Sequence, residues 1–139
     1  MDCLFCKIIN KELPAVVVYE DDECLAFLDI YPIAEGHVLV IPKKHCVILS
    51  ECDEETAKNL IAVVKKLNSA VCSAVGCEGI LNEVRNGAAA GQEVPHLHFH
   101  IIPRRENDGF GWVYPPGYRE KMEAKGKLDE IASNIKKKM

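Results

Sequence analysis

The sequence has no apolar run approaching the ~18–20 residues that a bilayer-spanning helix needs, so a membrane-embedded chain is not expected. Its start, Met1-Asp2-Cys3-Leu4-Phe5-Cys6, lacks the basic stretch and apolar block of a secretory leader, and a cytoplasmic location is the expectation. Excess positive charge is missing as well: 17 Lys and Arg stand against 21 Asp and Glu, a formal net charge of −4. A protein that neutralises a nucleic-acid backbone needs the opposite balance, so no nucleic-acid partner is expected. A small phosphate ligand stays open, because one local cluster of donors holds an anion on an acidic protein. No internal repeat, low-complexity tract or long Pro/Gly linker interrupts the chain.

What remains is 139 residues, 48% hydrophobic and 27% charged, the profile of one soluble globular domain with a core of useful size. The seven cysteines (Cys3, Cys6, Cys24, Cys46, Cys52, Cys72, Cys77) are an odd, scattered set. In a reducing compartment most serve as small buried hydrophobes, and only Cys3/Cys6 has a spacing that points to chemistry.

The first part reads as strands: Val16 to Tyr19, then Cys24 to Asp29 after the acidic turn 20–23, then His37 to Ile41, stopping at Pro42. Short acidic connections favour antiparallel pairing. A helix is predicted from about Glu54 to Val75, with Asp53 as N-cap and Gly76 as its stop. Leu60, Val64, Leu67, Val71 and Ala74 form its apolar stripe. Two more strands follow, Gly79 to Arg85 and His96 to Ile102, and Leu128, Ile131 and Ile135 mark a short amphipathic helix near the end. The expected fold is α+β: an antiparallel sheet of about five strands with one long helix packed across it. Residues 1–139 read as a single domain, with its core at about 2–105 and a tail over 106–139.

The most informative stretch is Pro95-His96-Leu97-His98-Phe99-His100-Ile101-Ile102-Pro103. Histidine alternates with apolar residues at period two, so an extended chain puts His96, His98 and His100 on one face, roughly 6–7 Å apart, and Leu97, Phe99 and Ile101 on the other. Packing alone does not account for three imidazoles in strict alternation. Two chemistries do: a metal site, and nucleophilic attack by an imidazole nitrogen on phosphorus. The upstream loop Asn86-Gly87-Ala88-Ala89-Ala90-Gly91-Gln92-Glu93 favours the second, since its backbone amides and carboxamides suit phosphate oxygens.

His96-Leu97-His98-Phe99-His100-Ile101-Ile102 resembles the signature of the histidine triad family. Phe5-Cys6-Lys7-Ile8-Ile9, Leu28-Asp29-Ile30-Tyr31-Pro32, Gly36 through His45, and Asn86-Gly87 through Gly91-Gln92 resemble family segments in family order, over about residues 2–105. The likeness is to the Hint-like branch in its prokaryotic form; Trp112 and Pro115-Pro116-Gly117 are similar to that branch's end. The resemblance implies an enzyme that cleaves at the α-phosphate of a purine nucleotide such as AMP, through a nucleotidyl-histidine on His98. It implies that His100 bonds a phosphate or bridging oxygen and that His37 and His96 tune the proton network. By the same likeness Asp29 holds the ribose hydroxyls, and Leu4, Phe5, Ile8, Phe27 and Ile30 form the base slot. Asn86 and the backbone around Gln92 and Glu93 would hold phosphate oxygens. Glu93 departs from the pattern, where many relatives carry Ser or Thr. An ionised carboxylate cannot donate to a leaving group, which puts leaving-group preference in question.

Cys3-Leu4-Phe5-Cys6 has the spacing of a zinc half-site. The family likeness completes it with His45 and His96, implying a structural Zn²⁺ on Cys3, Cys6, His45 and His96 and no catalytic cofactor. It also implies a two-fold homodimer. The alternatives are a dinucleoside polyphosphate hydrolase, a nucleotide-binding regulator with incidental hydrolysis, and a metal enzyme built on three histidines.

Overall fold

A computed structural model describes residues 2–139, which divide into two compact units meeting after Asp108. The first unit carries a short helix α1 (Leu4–Ile9), strands β1 (Val17–Glu20), β2 (Cys24–Leu28) and β3 (Val38–Pro42), a long helix α2 (Glu54–Val75), and strands β4 (Gly79–Val84) and β5 (Phe99–Arg104). The strands form one antiparallel sheet in the order β1-β2-β3-β5-β4. This is the α+β architecture expected from the sequence.

Alternation along the strands divides the sheet into two faces. Cys24 and Ala26 of β2, Val38 and Val40 of β3, and Leu97 and Ile101 pack beneath α2, against Leu60, Val63, Val64, Leu67 and Val71. The opposite face carries Leu25, Phe27, Leu39 and Ile41, covered by Cys3 and Phe5 from the start of the chain. Asp53 caps α2 by accepting from the Thr56 N–H at 2.9 Å, and Gly76 ends it in a left-handed conformation. The stripe is shifted from the expected one: Val63 is buried in the core, and in the last turn of α2 Val75 packs on the core while Ala74 faces outward. Gly36, at φ +86°, lets the chain enter β3 close under α2, where a Cβ would lie 2.9 Å from Val75 Cγ1.

The cysteines differ from expectation. Cys46–Cys52 and Cys72–Cys77 are disulfide-bonded, with Cα separations of 5.6 and 5.1 Å. The reason is local: a 3₁₀ turn at Leu49–Glu51 folds the first pair together, and the reversal at Gly76 brings Cys77 back to Cys72. Cys3, Cys6 and Cys24 are free.

The second unit, residues 109–139, holds helix α3 (Lys125–Lys136), which carries Leu128, Ile131 and Ile135 as an exposed apolar stripe. Tyr114 stacks on Tyr118 with ring centroids 4.3 Å apart. Among the described residues, no helix is long and apolar enough to cross a membrane.

Candidate functional site

The histidines stand on the sheet face away from α2. Register places Leu39 opposite His100 and Glu83 opposite His100 on the other side, so these side chains share one face. Regular strand begins only at Phe99, later than the His96 start expected. The reason lies in backbone bonding: the His96 N–H donates to Val94 O at 2.8 Å and the Leu97 N–H to Cys46 O at 2.7 Å, so this segment pairs with loops. The alternation survives: Leu97 and Ile101 enter the α2 core, while the rings of His96 and His98 meet Phe5 edge-on at 5.9 and 5.2 Å.

Hydrogen bonds fix which nitrogen of each ring bears a proton. His98 Nδ1 lies 2.7 Å from the His96 carbonyl oxygen, which only accepts; Nδ1 therefore carries the proton and Nε2 presents its lone pair. His37 Nδ1 accepts from the Ile33 N–H at 3.1 Å, so its Nε2 carries the proton. That nitrogen donates to His100 Nδ1 at 2.9 Å, which leaves His100 with Nε2–H as a donor. His37 Nε2 also lies 3.7 Å from Asp29 Oδ2. Asp29 Oδ1 accepts from the Tyr31 N–H at 2.9 Å, holding the carboxylate in place with its other oxygen uncommitted to the backbone.

Burial keeps these imidazoles neutral. His37, His98 and His100 are 2%, 7% and 9% exposed. Desolvation lowers the pKa of His37 and of His98. It takes His100 down to about 3, aided by the neighbouring His98 and His37. A neutral ring with a free Nε2 lone pair is the form of His98 that can attack phosphorus.

A cavity of about 570 Å³ opens over this face. Its walls include apolar Leu4, Phe5, Ile8, Phe27, Ile30 and Leu39 together with Asp29, His37, His98, His100, Arg85 and Glu93. It joins a slot fit for a flat apolar ring to hydroxyl- and anion-binding groups.

His96 turns to a separate cluster. Its Nε2 donates to Pro42 O at 2.8 Å, which aims the Nδ1 lone pair at Cys3 Sγ (3.4 Å), Cys6 Sγ (3.6 Å) and His45 Nδ1 (3.2 Å). His45 Nδ1 is 3.4 Å from Cys6 Sγ. All four ligand atoms lie within 4.8 Å of one another. Tetrahedral bonds of about 2.0–2.3 Å imply ligand separations of ~3.3–3.8 Å, so the donor set fits Zn²⁺. The Pro42 bond supplies the outer contact that orients a ligating imidazole.

Most residues singled out from sequence line the cavity or the cluster; Asn86 and Gln92 do not. Asn86 Oδ1 accepts from the Leu49 N–H at 2.8 Å. Gln92 accepts from the Gly87 N–H and donates to Val47 O and Val94 O, at 2.8, 2.7 and 3.1 Å. Their carboxamides brace the loops around the cavity. The reason is parity: Asn82 and Val84 face α2, Glu83 and Arg85 face the histidines, and Asn86 falls on the wrong side. Arg85, absent from the sequence reading, is the residue that enters the cavity. A cation at the end of a strand beside a glycine-rich loop was the available signal.

The HIT domain family matches residues 10–107 of this chain. An uncharacterized HIT-like protein of Borreliella burgdorferi is 52% identical over 115 residues, covering 80% of this chain and 81% of that protein. Adenosine 5'-monophosphoramidase hnt1 of Schizosaccharomyces pombe is 41% identical over 139 residues, 98% of this chain and 100% of that one. Adenylylsulfatase HINT3 of Arabidopsis thaliana is 41% identical over 134 residues, 96% of this chain and 66% of that protein. Among solved structures, a HIT family member from Bacillus subtilis superposes with TM-score 0.91 at 40% identity, covering 100% of this chain and 98% of that one. A Zn-bound histidine triad family protein from Mycobacterium smegmatis superposes with TM-score 0.76 at 37% identity, covering 86% of this chain and 87% of that one. The match over residues 10–107, together with these full-length likenesses, places the chain in the HIT family.

Proposed function

We propose that this protein hydrolyses adenosine (purine) nucleotide conjugates at the α-phosphate, such as nucleoside phosphoramidates, through a nucleotidyl intermediate on His98. The observation that carries the reading is the His98 Nδ1 bond to the His96 carbonyl, which holds a neutral imidazole with its Nε2 lone pair toward the cavity. The purine lies in the apolar slot of Phe5, Phe27 and Ile30, and Asp29 Oδ2 accepts from the ribose hydroxyls. His98 Nε2 attacks phosphorus; the Nε2–P bond forms as the bond to the leaving atom breaks. His100 Nε2–H, held in line by His37, donates a hydrogen bond to the leaving atom, which takes its proton from solvent. Water then attacks the phosphorus and gives its proton to solvent, releasing the nucleotide and restoring the free ring. Splitting one displacement into two is the gain of covalent catalysis. Two relatives named for hydrolysis of adenylyl conjugates, an AMP phosphoramidase and an adenylylsulfatase, support the reading.

In this reading Cys3, Cys6, His45 and His96 hold a structural Zn²⁺ that ties the N-terminal segment to the histidine segment; when bound, it supplies fixed geometry and no reaction chemistry. Cys3 caps α1, which carries Phe5 over His98, so the cluster positions the cavity wall. His96 then serves as ligand and as the carbonyl that orients His98. We also propose a homodimer in the cytoplasm, consistent with exposed Ile61 on α2 and the apolar stripe of α3. His98→Gln tests the central step: turnover of an adenosine phosphoramidate should fall at least ~10³-fold while AMP binding persists, and near-normal kcat would reject the nucleophile.

A further inference from the structure

The sheet order sets a direction for any ligand lying across the histidine face. Asp29 follows β2, His37 precedes β3, His98 and His100 belong to the β5 segment, and Arg85 follows β4. Because the strands run β2-β3-β5-β4, a ribose at Asp29 and a phosphorus at His98 direct the leaving group toward β4. The β4–β5 register pairs Glu83 with His100 and ends at Val84 with Phe99, so Arg85 is the first residue past the ladder, and it lines the same cavity as His98. Its charge acts on His98 from the β4 side of the cavity.

Arg85 is held ready there. Its Nε and Nη2 donate to Glu83 Oε1 at 3.1 and 2.7 Å, and its Nη1 to Gly91 O at 3.3 Å. Five N–H groups radiate from a guanidinium, so hydrogens on both terminal nitrogens remain for a ligand. The Arg85 side chain is 34% exposed and that of Glu83 13%, so the pair is anchored on its inner side and open toward the cavity. The positive charge is felt at His98, His37 and His100, whose pKa values it helps depress. The opposing charge on this side is Glu93, at an exposed rim position where water screens it.

We propose that Arg85 is a subsite for an oxyanion carried by the leaving group, which makes adenylyl conjugates of carboxylate-, sulfate- or phosphate-bearing groups the preferred substrate class. This rests on the hydrolase reading above. As the bond from phosphorus to the leaving atom breaks, the electron pair stays on that atom, which accepts a hydrogen bond from His100 and takes any proton it needs from solvent. Arg85 meanwhile neutralises the adjacent oxyanion through charge-assisted bonds that a planar guanidinium makes two at a time. Glu83 fixes the plane of the fork.

The test compares matched phosphoramidates of AMP, one N-linked to glycine and one to glycinamide, with adenylyl sulfate and ADP as further arms that distinguish the oxyanion. In the wild type, kcat/KM for the glycine conjugate should exceed that for glycinamide by ~10-fold or more. Arg85→Ala should bring the ratio to about 1, and Arg85→Lys should retain an intermediate ratio, because a point charge keeps attraction and loses the fork. Unchanged melting temperature checks that the variants fold. A wild-type ratio near 1, or a ratio unaffected by Arg85→Ala, overturns the subsite. Equal loss on both substrates assigns Arg85 to the α-phosphate and also overturns it. No turnover of either conjugate by the wild type refutes the hydrolase reading itself, and the subsite with it.

Discussion

Acid should destabilise this protein through its buried imidazoles, chiefly His100. It is 9% exposed, faces His37 and His98, and its pKa is pushed down to about 3 by burial and those neighbours. Unfolded, the same imidazole titrates at about 6.5. Below that pH the unfolded chain binds a proton that the folded chain refuses, so stability falls as pH drops from 6.5 toward 3. At pH 5 the linkage amounts to about 2 kcal/mol from this one residue, and below pH 3 to nearly 5. That is a large part of the ~5–15 kcal/mol that stabilises an ordinary domain. His100→Gln removes the proton site and keeps a polar side chain. Urea unfolding of both proteins at pH 7.5 and 5.0, with zinc at fixed excess, should show the variant losing ~2 kcal/mol less than the wild type across that interval. Parallel losses in the two proteins would refute the argument that His100 is held neutral in the fold.

Two further expectations concern the cluster and the cavity. Cys6→Ser leaves three ligands, so the variant should bind zinc at least ~10-fold more weakly, read by competition with a chromophoric chelator, and should melt earlier than the wild type at equal zinc. Melting curves that coincide with and without zinc in the wild type would show that the cluster does not hold the metal. Asp29→Asn turns a two-oxygen acceptor into half an acceptor, and AMP affinity should fall ~10-fold while 2′,3′-dideoxy-AMP affinity changes little, measured by calorimetry. An equal effect on both nucleotides would place the ribose elsewhere.

The sheet and long helix were legible because their signals are local. The Asp53 cap and the Gly76 stop bound α2 at Glu54–Val75, as the sequence leads one to expect. The alternation of His96 to Ile101 told which side chains share a face, since parity persists even where the chain leaves the regular strand. Features that depend on closure in space were hidden. Helix α1 is only six residues long and is capped by a thiol, Cys3 Sγ accepting from the Cys6 N–H at 3.4 Å, so it has neither periodicity nor an ordinary cap. Both disulfides arise from chain reversals whose geometry the spacing does not reveal. The choice between Arg85 and Asn86 turns on where β4 ends: a one-residue change of parity exchanges a group lining the histidine cavity for one bonded to Leu49.

The most direct measurement is chemical trapping. Rapid acid-free denaturation during turnover of an α-³²P-labelled adenosine phosphoramidate, followed by alkaline digestion and peptide mapping, should place an acid-labile, alkali-stable label on His98. A label on another residue, or none during steady turnover at saturating substrate, would contradict the account.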